Sequence, residues 1–305
     1  MSNGIIVALI AGTLRMAAPL IFTALGGVFS EKSGVVNIGL EGMMIMGAFF
    51  GVLGTYKTGS PLMGVLCAMI AGGAIALVHA FLSINLRADQ IISGTAINLF
   101  ALALASFLIG PIFKTGGQTN VVKKLSYNLP GFLKNVPILN NLNWFVILAI
   151  ILVFVSNFVL YKTPFGLRVR AVGEHPGAAD TMGINVYKMR YICVIISGIL
   201  AGLGGATLSI GMTPLYKDGM VAGRGFIALA AMIFGNWKPI GTMWACMLFA
   251  FGTSFQMIAQ GFSVNLPNEF YQSIPYILTM LALTGFIGKT EAPRADGKPY
   301  IKGQR

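Results

Sequence analysis

The sequence predicts an all-α fold, a polytopic transmembrane helical bundle of about nine spans (range 8–10), on three observations. Hydrophobic residues make up 56% of the 305-residue chain and charged residues only 10%, whereas soluble domains carry roughly 25% charged residues. The mean hydropathy is +0.79. The apolar residues also lie in long runs, and a helical span needs about 20 of them. These features exclude a soluble enzyme, a disulfide scaffold, a disordered chain and an outer-membrane barrel of short alternating strands.

The apolar runs give the order of the predicted elements. The first run has no Lys or Arg before Arg15 and no cleavage site behind it, so it is interpreted as a span rather than a signal peptide. Residues 1–288 are expected to form one transmembrane domain, and residues 289–305 a polar, solvated cytoplasmic tail that buries nothing. The predicted spans are 4–29, 39–56, 61–84, 91–113, 143–161, 190–211, 224–237, 240–262 and 269–288.

Positive charge indicates the orientation of the bundle. Lys and Arg concentrate in cytoplasmic loops, and we interpret the net charge of +12 as this topology signal rather than as a nucleic-acid site. With the loop 162–189 and the tail in the cytoplasm, thirteen of the 21 basic residues fall on the cytoplasmic side and seven outside. This orientation places the N-terminus outside and the C-terminus in the cytoplasm.

The chain shows no motif for catalysis or for ATP binding. Residues 288–290 (GKT) resemble the end of a phosphate-binding loop, but Leu283 stands where that loop needs glycine. Residues 223–228 have the spacing of a dinucleotide-binding turn without a surrounding βαβ unit. His79 and His175 lie far apart, and the common hydrolase patterns are missing. We therefore expect a transport subunit that is not an enzyme and holds no metal or cofactor of its own.

The carboxylates disfavour ion coupling. A proton- or ion-driven carrier needs ionisable groups deep in the membrane. All nine acidic residues fall at or outside the predicted span ends, with Glu41 nearest to a span interior. An ion-coupled secondary carrier that works alone is an alternative, and it predicts transport in liposomes without any ATPase.

Glycine patterns indicate how the spans pack. Residues 198–205 (GILAGLGG) present small residues four apart, a spacing that lets helices approach closely in a membrane. Segment 39–51 also aligns weakly with segment 223–235, sharing the terminal glycines and the penultimate Phe. Because the predicted topology runs these two segments in opposite directions, they are candidates for a weak inverted repeat, a common transporter arrangement.

The loop 162–189 contains the most informative local pattern. Pro176 suits the first position of a helix, and Gly183 suits the left-handed residue that ends one. Ala178, Ala179 and Met182 lie between them. We expect about two turns of helix, held by packing because so short a helix is not stable alone. It would serve as a docking knob for a soluble partner; the alternative is a solvated loop that covers the floor of the bundle.

Three segments carry a resemblance to a known family. They are residues 27–51 (GVFSEKSGVVNIGLEGMMIMGAFFG), 166–184 (GLRVRAVGEHPGAADTMGI) and 223–241 (GRGFIALAAMIFGNWKPIG). They resemble the branched-chain amino acid/simple sugar class of ABC importer permeases, most closely the shorter permease of bacterial nucleoside importers. The resemblance covers nearly the whole chain, from Leu14 to Gly288.

The resemblance implies that the loop forms the coupling helix, which sits in a groove of a partner ATPase. Glu174, Ala178, Ala179 and Gly183 fall on the EAA-like pattern of that family, although His175, Pro176 and Gly177 intervene between Glu174 and Ala178. The residues assigned to ATPase coupling are Glu174, Pro176, Ala178, Ala179, Asp180, Met182 and Gly183.

The resemblance also implies the partners and the cargo. The partners are an ATP-binding subunit that holds ATP and Mg²⁺, a second homologous permease in a heterodimer, an extracytoplasmic substrate-binding lipoprotein, and the lipid of the bacterial inner membrane. The cargo is a nucleoside. The alternatives are the same machine carrying a simple sugar such as ribose, and a structural membrane subunit without a transport function.

The residues along the substrate route follow from the chemistry of the cargo. A nucleoside is a neutral polar ring system, so its route needs amides, hydroxyls and aromatic faces more than charges. The candidates are Asn37, Glu41, Ser93, Asn98 and Phe226. Structural alternatives stand beside them: Asn98 as a hydrogen bond between helices, Asn37 and Glu41 as caps of the second span, and Phe226 as plain packing.

Overall fold

The chain, described by a computed structural model, is all-helical, and the described residues contain no strand. Those residues are 2–125, 143–261, 267, 270, 271, 273, 277 and 291–303. The helices are α1 (Ser2–Lys32), α2 (Leu40–Thr58), α3 (Pro61–Ala80), α4 (Gln90–Phe113), α5 (Trp144–Lys162), α6 (Pro164–Glu174), α7 (Pro176–Thr181), α8 (Val186–Ala206), α9 (Arg224–Phe234) and α10 (Pro239–Ala259). A π-helical turn extends α3 over Phe81–Asn85 and α8 over Thr207–Met212.

Six helices in the described part of the chain are long and apolar enough to cross a membrane. They are α1, α3, α4, α5, α8 and α10, and they match six of the predicted spans. At the place of the predicted span 39–56, α2 has 19 residues and is largely buried, so it runs through the middle of the bundle. Nearly all of the predicted span 269–288 lies outside the described residues.

The predicted span 224–237 is wrong, because α9 has only 11 residues. At 1.5 Å per residue α9 covers about 16 Å, roughly half of a hydrocarbon core. Gly223, with a left-handed φ of 78°, precedes it. The left-handed residues Asn236 and Trp237 follow it, just before Pro239 begins α10. The apolar run is therefore a half-helix followed by a tight turn.

Glycines bring α8 close to its neighbours at the centre of the bundle. A Cβ on Gly47 of α2 would overlap the backbone of Gly202 in α8. One turn earlier in α8, a Cβ on Gly198 would overlap Gly72 of α3. The close packing predicted for residues 198–205 is therefore confirmed.

The chain between α1 and α2 is buried although it is not helical. Residues 33–39 enter the bundle, where side chains of α3 and α4 bind their backbone. His79 Nε2 lies 3.0 Å from the carbonyl oxygen of Val36. Asn98 Nδ2 donates to the carbonyl oxygen of Ile38 at 3.0 Å. Irregular backbone at membrane depth is tolerated only where the protein satisfies its polar groups, so these side chains fix the start of α2.

The C-terminal residues 291–303 pack against α6 and α8. We call this end of the bundle, formed by α6, α7 and residues 291–303, the basal face. Ala295 is buried, and its N–H donates to the carbonyl oxygen of Gly173 at 2.9 Å. The buried Arg190 donates from Nη1 to the carbonyl oxygen of Lys298 at 3.0 Å. The prediction that the tail buries nothing is wrong: Ala295 and Tyr300 are buried, and the carbonyl oxygen of Lys298 accepts a hydrogen bond from a buried cation that the tail's own composition does not reveal.

Candidate functional site

A cavity of about 350 Å³ opens in the bundle beside the start of α9. Its walls come from α2, α4, α9 and the segment 216–222, and they consist mostly of carbon. Three predicted pathway residues line it, Glu41, Asn98 and Phe226. Asn37 and Ser93 lie elsewhere, so the structure brings only part of the predicted set together.

The cavity lies near the middle of the membrane-spanning length. Glu41 contacts the first turn of α9, which then runs about 16 Å to the turn that follows it. That turn lies near the basal face, since Trp237 Nε1 donates to Glu31 Oε2 in the last turn of α1 at 2.6 Å. Because a hydrocarbon core is about 30 Å thick, a ligand in the cavity would lie roughly halfway across it.

Glu41 joins two helices that begin at the cavity. Its Oε1 accepts from the N–H of Gly223 at 2.8 Å, and its Oε2 from the N–H of Gly225 at 2.6 Å. The first N–H groups of a helix have no partner within it, and the helix dipole favours a carboxylate there. A Cβ on Gly225 would lie 2.5 Å from Glu41 Cα, so this approach requires glycine. The sequence suggested that Glu41 caps its own helix at the end of a span. The structure shows that its carboxylate caps α9 beside the mid-depth cavity, so the expectation that all acidic residues lie at or outside the span ends is wrong for Glu41.

Asn98 holds the start of α2. Its Oδ1 accepts from the N–H of Gly42 at 2.7 Å, while its Nδ2 donates to the carbonyl oxygen of Ile38. The amide therefore makes hydrogen bonds between α4 and the α2 region, as the structural alternative stated. Its contribution to the cavity is to position α2.

Asn37 and Ser93 connect helices away from the cavity. Asn37 is fully buried, and its Nδ2 donates to Ser197 Oγ of α8 at 2.9 Å. Because Gly39 is the residue that precedes α2, and no side chain caps that helix from this position, the prediction of Asn37 as its cap is wrong. Ser93 Oγ lies 3.0 Å from His79 Nδ1 and links α4 to α3.

Phe226 is the aromatic residue at the edge of the cavity. It lies in the first turn of α9, directly after Gly225, and its side chain is 48% exposed. Leu99 and Leu102 of α4 line the same cavity and are also exposed. The cavity therefore opens onto an apolar face, where an aromatic ring can stack on a flat ligand.

The segment 216–222 forms a wall of the cavity that was not predicted from the sequence. Thr119 Oγ1 accepts from the N–H of Tyr216 at 2.9 Å, which ties this segment to the residues that follow α4. Gly219 and Gly223 both have left-handed φ values. These two closely spaced glycines are the sequence signal for a folded turn ahead of α9.

At the basal face, α6 anchors the loop to the bundle. Thr163 caps it, with its Oγ1 accepting from the N–H of Gly166 at 3.2 Å. Val169 and Val172 are buried. Gly173 lies so close to the end of α1 that a Cβ there would overlap a carbonyl oxygen. Consequently α6 is packed directly on the last turn of α1.

The ends of α7 are those that the sequence predicts. Pro176 occupies its first turn, and Gly183 follows it with a left-handed φ of 81°. The N–H of Ile184 donates to the carbonyl oxygen of Ala179 at 3.0 Å. Ala179 is buried, whereas Met182 is 81% exposed. The exposed residues around it include Glu174, Ala178 and Thr181. One face of the short helix is therefore packed in the bundle and the other is exposed. We call α7 together with Met182 and Gly183 the knob.

Neither region brings metal ligands together. Over the part of the chain that the structure describes, no group of three or more His, Cys, Asp or Glu side chains is placed to hold a metal ion. The cavity suits non-covalent binding of a mostly apolar ligand, and the basal face suits contact with another protein.

A bundle of membrane-spanning helices with a cavity at mid-depth and an exposed knob at one end is the architecture of a membrane permease. The model of the family described as branched-chain amino acid transport system / permease component matches residues 9–283. The chain belongs to this family.

Three similar proteins define the class further. The chain is 49% identical to the guanosine ABC transporter permease protein NupQ of Bacillus subtilis, over 97% of both chains. It is 42% identical to the nucleoside ABC transporter permease protein NupC of Lactococcus lactis, also over 97% of both. It is 33% identical to the putative glucose ABC transporter permease protein TsgC13 of Haloferax volcanii, over 94% of this chain and 93% of that one. The resemblance inferred from the sequence is confirmed: this is a multi-pass permease subunit of an ABC transporter.

Proposed function

We propose that this permease moves nucleosides inward across the bacterial cytoplasmic membrane, through the cavity beside Glu41. The observation that carries the proposal is a carbon-walled cavity at mid-depth with an aromatic ring at its edge. Its carboxylate and amide are already bonded to backbone, so a ligand would be held by stacking and apolar contact. A neutral flat base suits such a cavity better than a charged amino acid does. The similarity to NupQ, a guanosine permease, and to NupC, a nucleoside permease, supports the same cargo.

In this proposal the basal face lies in the cytoplasm and meets the ATP-binding subunit, while the N-terminus lies outside. The excess of Lys and Arg on the basal side supports this orientation. ATP and Mg²⁺ belong to that partner, and this chain contributes the contact that receives its motion. The contact residues are Glu174, Pro176, Ala178, Ala179, Asp180, Met182 and Gly183.

A displacement of α7 has a short packed route to the cavity. The chain continues from α7 through Gly183 into α8, and α6 rests on the end of α1. Met232 of α9 packs against α1 at Gly27, where its Sδ lies 2.9 Å from the position of a Cβ. Because α9 is packed on α1, a movement of α1 would also move α9. Phe226 and the N–H of Gly225, which binds Glu41, would move with that helix. Rocking of these elements would give alternating access to the cavity.

The exposed apolar face beside the cavity suits a second permease. Leu99, Leu102 and Phe226 are exposed in the single chain, and two such faces would enclose one route between them. We therefore propose a homologous permease as partner in a heterodimer. An extracytoplasmic substrate-binding lipoprotein would deliver the nucleoside, and membrane lipid would cover the remaining apolar surface.

Proteoliposomes that hold the assembled transporter test the cargo. ATP is supplied on the side of the ATP-binding subunit, the delivery protein on the other, and the labelled substrates are guanosine, uridine, ribose and leucine. We expect ATP-dependent uptake of the nucleosides and none of leucine. Uptake of guanosine by vesicles that lack the ATP-binding subunit would establish the secondary carrier instead.

A simple sugar is the second candidate cargo, favoured by the similarity to TsgC13. Phe226→Leu separates the two, because stacking on a base contributes about 0.5–1.5 kcal/mol and a sugar has no flat face. We expect the variant to raise the KM for guanosine by about two- to tenfold. Phe107→Leu, an exposed ring on α4 outside the cavity, is the matched control. Uptake of ribose alone, with a KM that Phe226→Leu leaves unchanged, would identify the sugar as cargo.

A further inference from the structure

The C-terminal residues 291–303 and α7 form one continuous surface. The side chain of Tyr300 lies beside the carboxylate of Asp180 in α7, where burial and this carboxylate both raise the pKa of the Tyr300 hydroxyl. The ring of Tyr300 also packs on Tyr187 of α8, with centroids 5.5 Å apart. The tail thus touches the knob directly as well as the helix that follows it.

Two polar clefts lie where the tail meets this loop. One of about 420 Å³ lies beyond the end of α7, between Gly183 and Lys302 of the tail. The other, of about 400 Å³, lies near Glu174 and is bordered by Glu291 and Arg294 of the tail. A protein that covers the exposed residues of α7 therefore meets tail residues next to both ends of that helix.

The tail is held in place from several directions. The N–H of Ala295 donates a hydrogen bond to Gly173 of α6, and the carbonyl oxygen of Lys298 accepts one from the buried Arg190 of α8. At its start, the N–H of Glu291 donates to Asn236 Oδ1 in the turn after α9 at 3.0 Å. A surface that is already ordered loses less conformational entropy when a partner binds.

The exposed charge of this surface is mostly positive. On the tail, Arg294, Lys298 and Lys302 are exposed, and Lys238 and Arg168 are exposed nearby. Exposed cations at the rim of an interface attract a partner with acidic residues and raise the rate of association. Arg294 and Lys302 border the clefts beside α7. Their position therefore favours binding to a protein that also covers α7, rather than binding to the lipid headgroups of the bilayer.

We propose that residues 291–303 and α7 together form the docking surface for the ATP-binding subunit, with Arg294 and Lys302 contacting acidic residues of that partner. This inference rests on the proposed function, because it requires α7 to be the knob that an ATP-binding subunit covers. It adds a second contact element, contributed by a segment far from the loop in sequence.

Charge reversal at the two cleft residues tests this surface. The full-length permease pair is placed in nanodiscs of neutral lipid, and binding of the purified ATP-binding subunit is followed in real time at low and high salt. Arg294→Glu with Lys302→Glu should weaken binding by about tenfold, mainly through slower association, and high salt should shrink the difference. Neutral Arg294→Gln with Lys302→Gln should fall between this variant and the wild type.

Two controls separate the possible outcomes. Lys123→Glu with Lys124→Glu reverses two exposed charges on the segment after α4, beyond the end of the bundle opposite the basal face, and should leave binding unchanged. Met182→Glu places a charge on the exposed side chain of the knob and should weaken binding strongly. Loss with Met182→Glu but none with the tail variants would overturn the composite surface and leave the proposed function intact.

Two further results would also count against the proposal. Unchanged binding in both Met182→Glu and the tail variants would overturn the proposed function together with this inference. If the tail variants weaken binding only in nanodiscs that contain anionic lipid, the tail residues contact lipid headgroups, and the composite surface is overturned.

Discussion

The cavity and the basal face differ in where their polar groups bind. In the cavity, the side chains of Glu41 and Asn98 accept hydrogen bonds from backbone N–H groups at the starts of α9 and α2. The wall surface left for a ligand is therefore mostly carbon. At the basal face, Arg294, Lys298 and Lys302 are exposed and free to meet another molecule. In our proposal the first region therefore recognises a ligand by shape and stacking, and the second recognises a partner by shape and charge.

Because of this difference, we expect mutations in the two regions to impair different steps of transport. A change in the cavity should alter uptake and substrate preference but leave binding of the ATP-binding subunit intact. A change at the basal face should alter docking or coupling but leave substrate preference intact. Each of the following variants tests whether this separation holds.

The largest effect is expected for Glu41→Leu. The substitution leaves the N–H groups of Gly223 and Gly225 without their acceptor in a water-poor site, and each buried unsatisfied group costs about 1–3 kcal/mol. We expect uptake in proteoliposomes to fall by about a hundredfold or more, with binding of the ATP-binding subunit retained.

Asp89→Leu is the matched control for Glu41→Leu. Asp89 also caps a helix, with Oδ1 accepting from the N–H groups of Ile91 and Ile92 at 2.8 and 3.0 Å, but these groups are exposed. Because water replaces the lost bonds there, the cost should be about 1 kcal/mol. Equal losses of uptake in the two variants would show that the depth of the Glu41 bonds is unimportant.

The next largest effect is expected for Gly183→Pro, the counterpart at the basal face. Proline cannot adopt the left-handed φ of 81°, and it removes the N–H that donates to the carbonyl oxygen of Asp180. We expect normal membrane insertion and continued ATP hydrolysis, but uptake reduced by about tenfold or more, because α7 no longer has its rigid end. Paired assays of hydrolysis and uptake measure the coupling.

Gly59→Pro is the matched control. Gly59 also ends a helix, α2, with a left-handed φ of 70° and nothing within 4 Å of a Cβ, but α2 ends away from the basal face. Its coupling of hydrolysis to uptake should equal that of the wild type. Tight coupling in Gly183→Pro would contradict the assignment of this loop to the ATP-binding subunit.

The local features of both regions could be predicted from the sequence. The ends of α7 depend on Pro176 and Gly183, whose conformational preferences act without distant partners. Glu41, Asn98 and Phe226 stand out as polar or aromatic residues within or beside apolar runs. Residue type and local spacing were sufficient for these predictions.

The non-local features could not be predicted in the same way. The run 224–237 has the hydropathy of a span, and only the left-handed residues Asn236 and Trp237 near its end separate α9 from α10. The carboxylate of Glu41 reaches Gly223 and Gly225, about 180 residues along the chain, which no periodicity reveals. The docked tail depends on Arg190, whose burial is a property of the folded bundle.

The smallest effect concerns Asp296, where the tail contacts the bundle. Burial raises the pKa of Asp296 to about 7, although Arg190 and Lys32 oppose this shift, and Glu31 faces the same carboxyl group. Because the pKa of the docked state lies above its ordinary value, protonation stabilises docking. This contribution is complete below about pH 4 and is lost as the pH rises through about 7.

Asp296→Asn should therefore reduce the pH dependence of tail docking. Hydrogen exchange at the N–H of Ala295, which donates to Gly173 when the tail is docked, measures it at pH 5 and pH 8 after correction for the intrinsic rate. In the wild type, protection should fall by about tenfold or less over this range, and in Asp296→Asn the fall should be clearly smaller. Glu291→Gln, which removes an exposed carboxylate of the same segment, should behave as the wild type. If Glu291→Gln flattened the profile as much as Asp296→Asn, the pH response would belong to the overall charge of the tail, and the buried contact with Glu31 and Arg190 would not control docking.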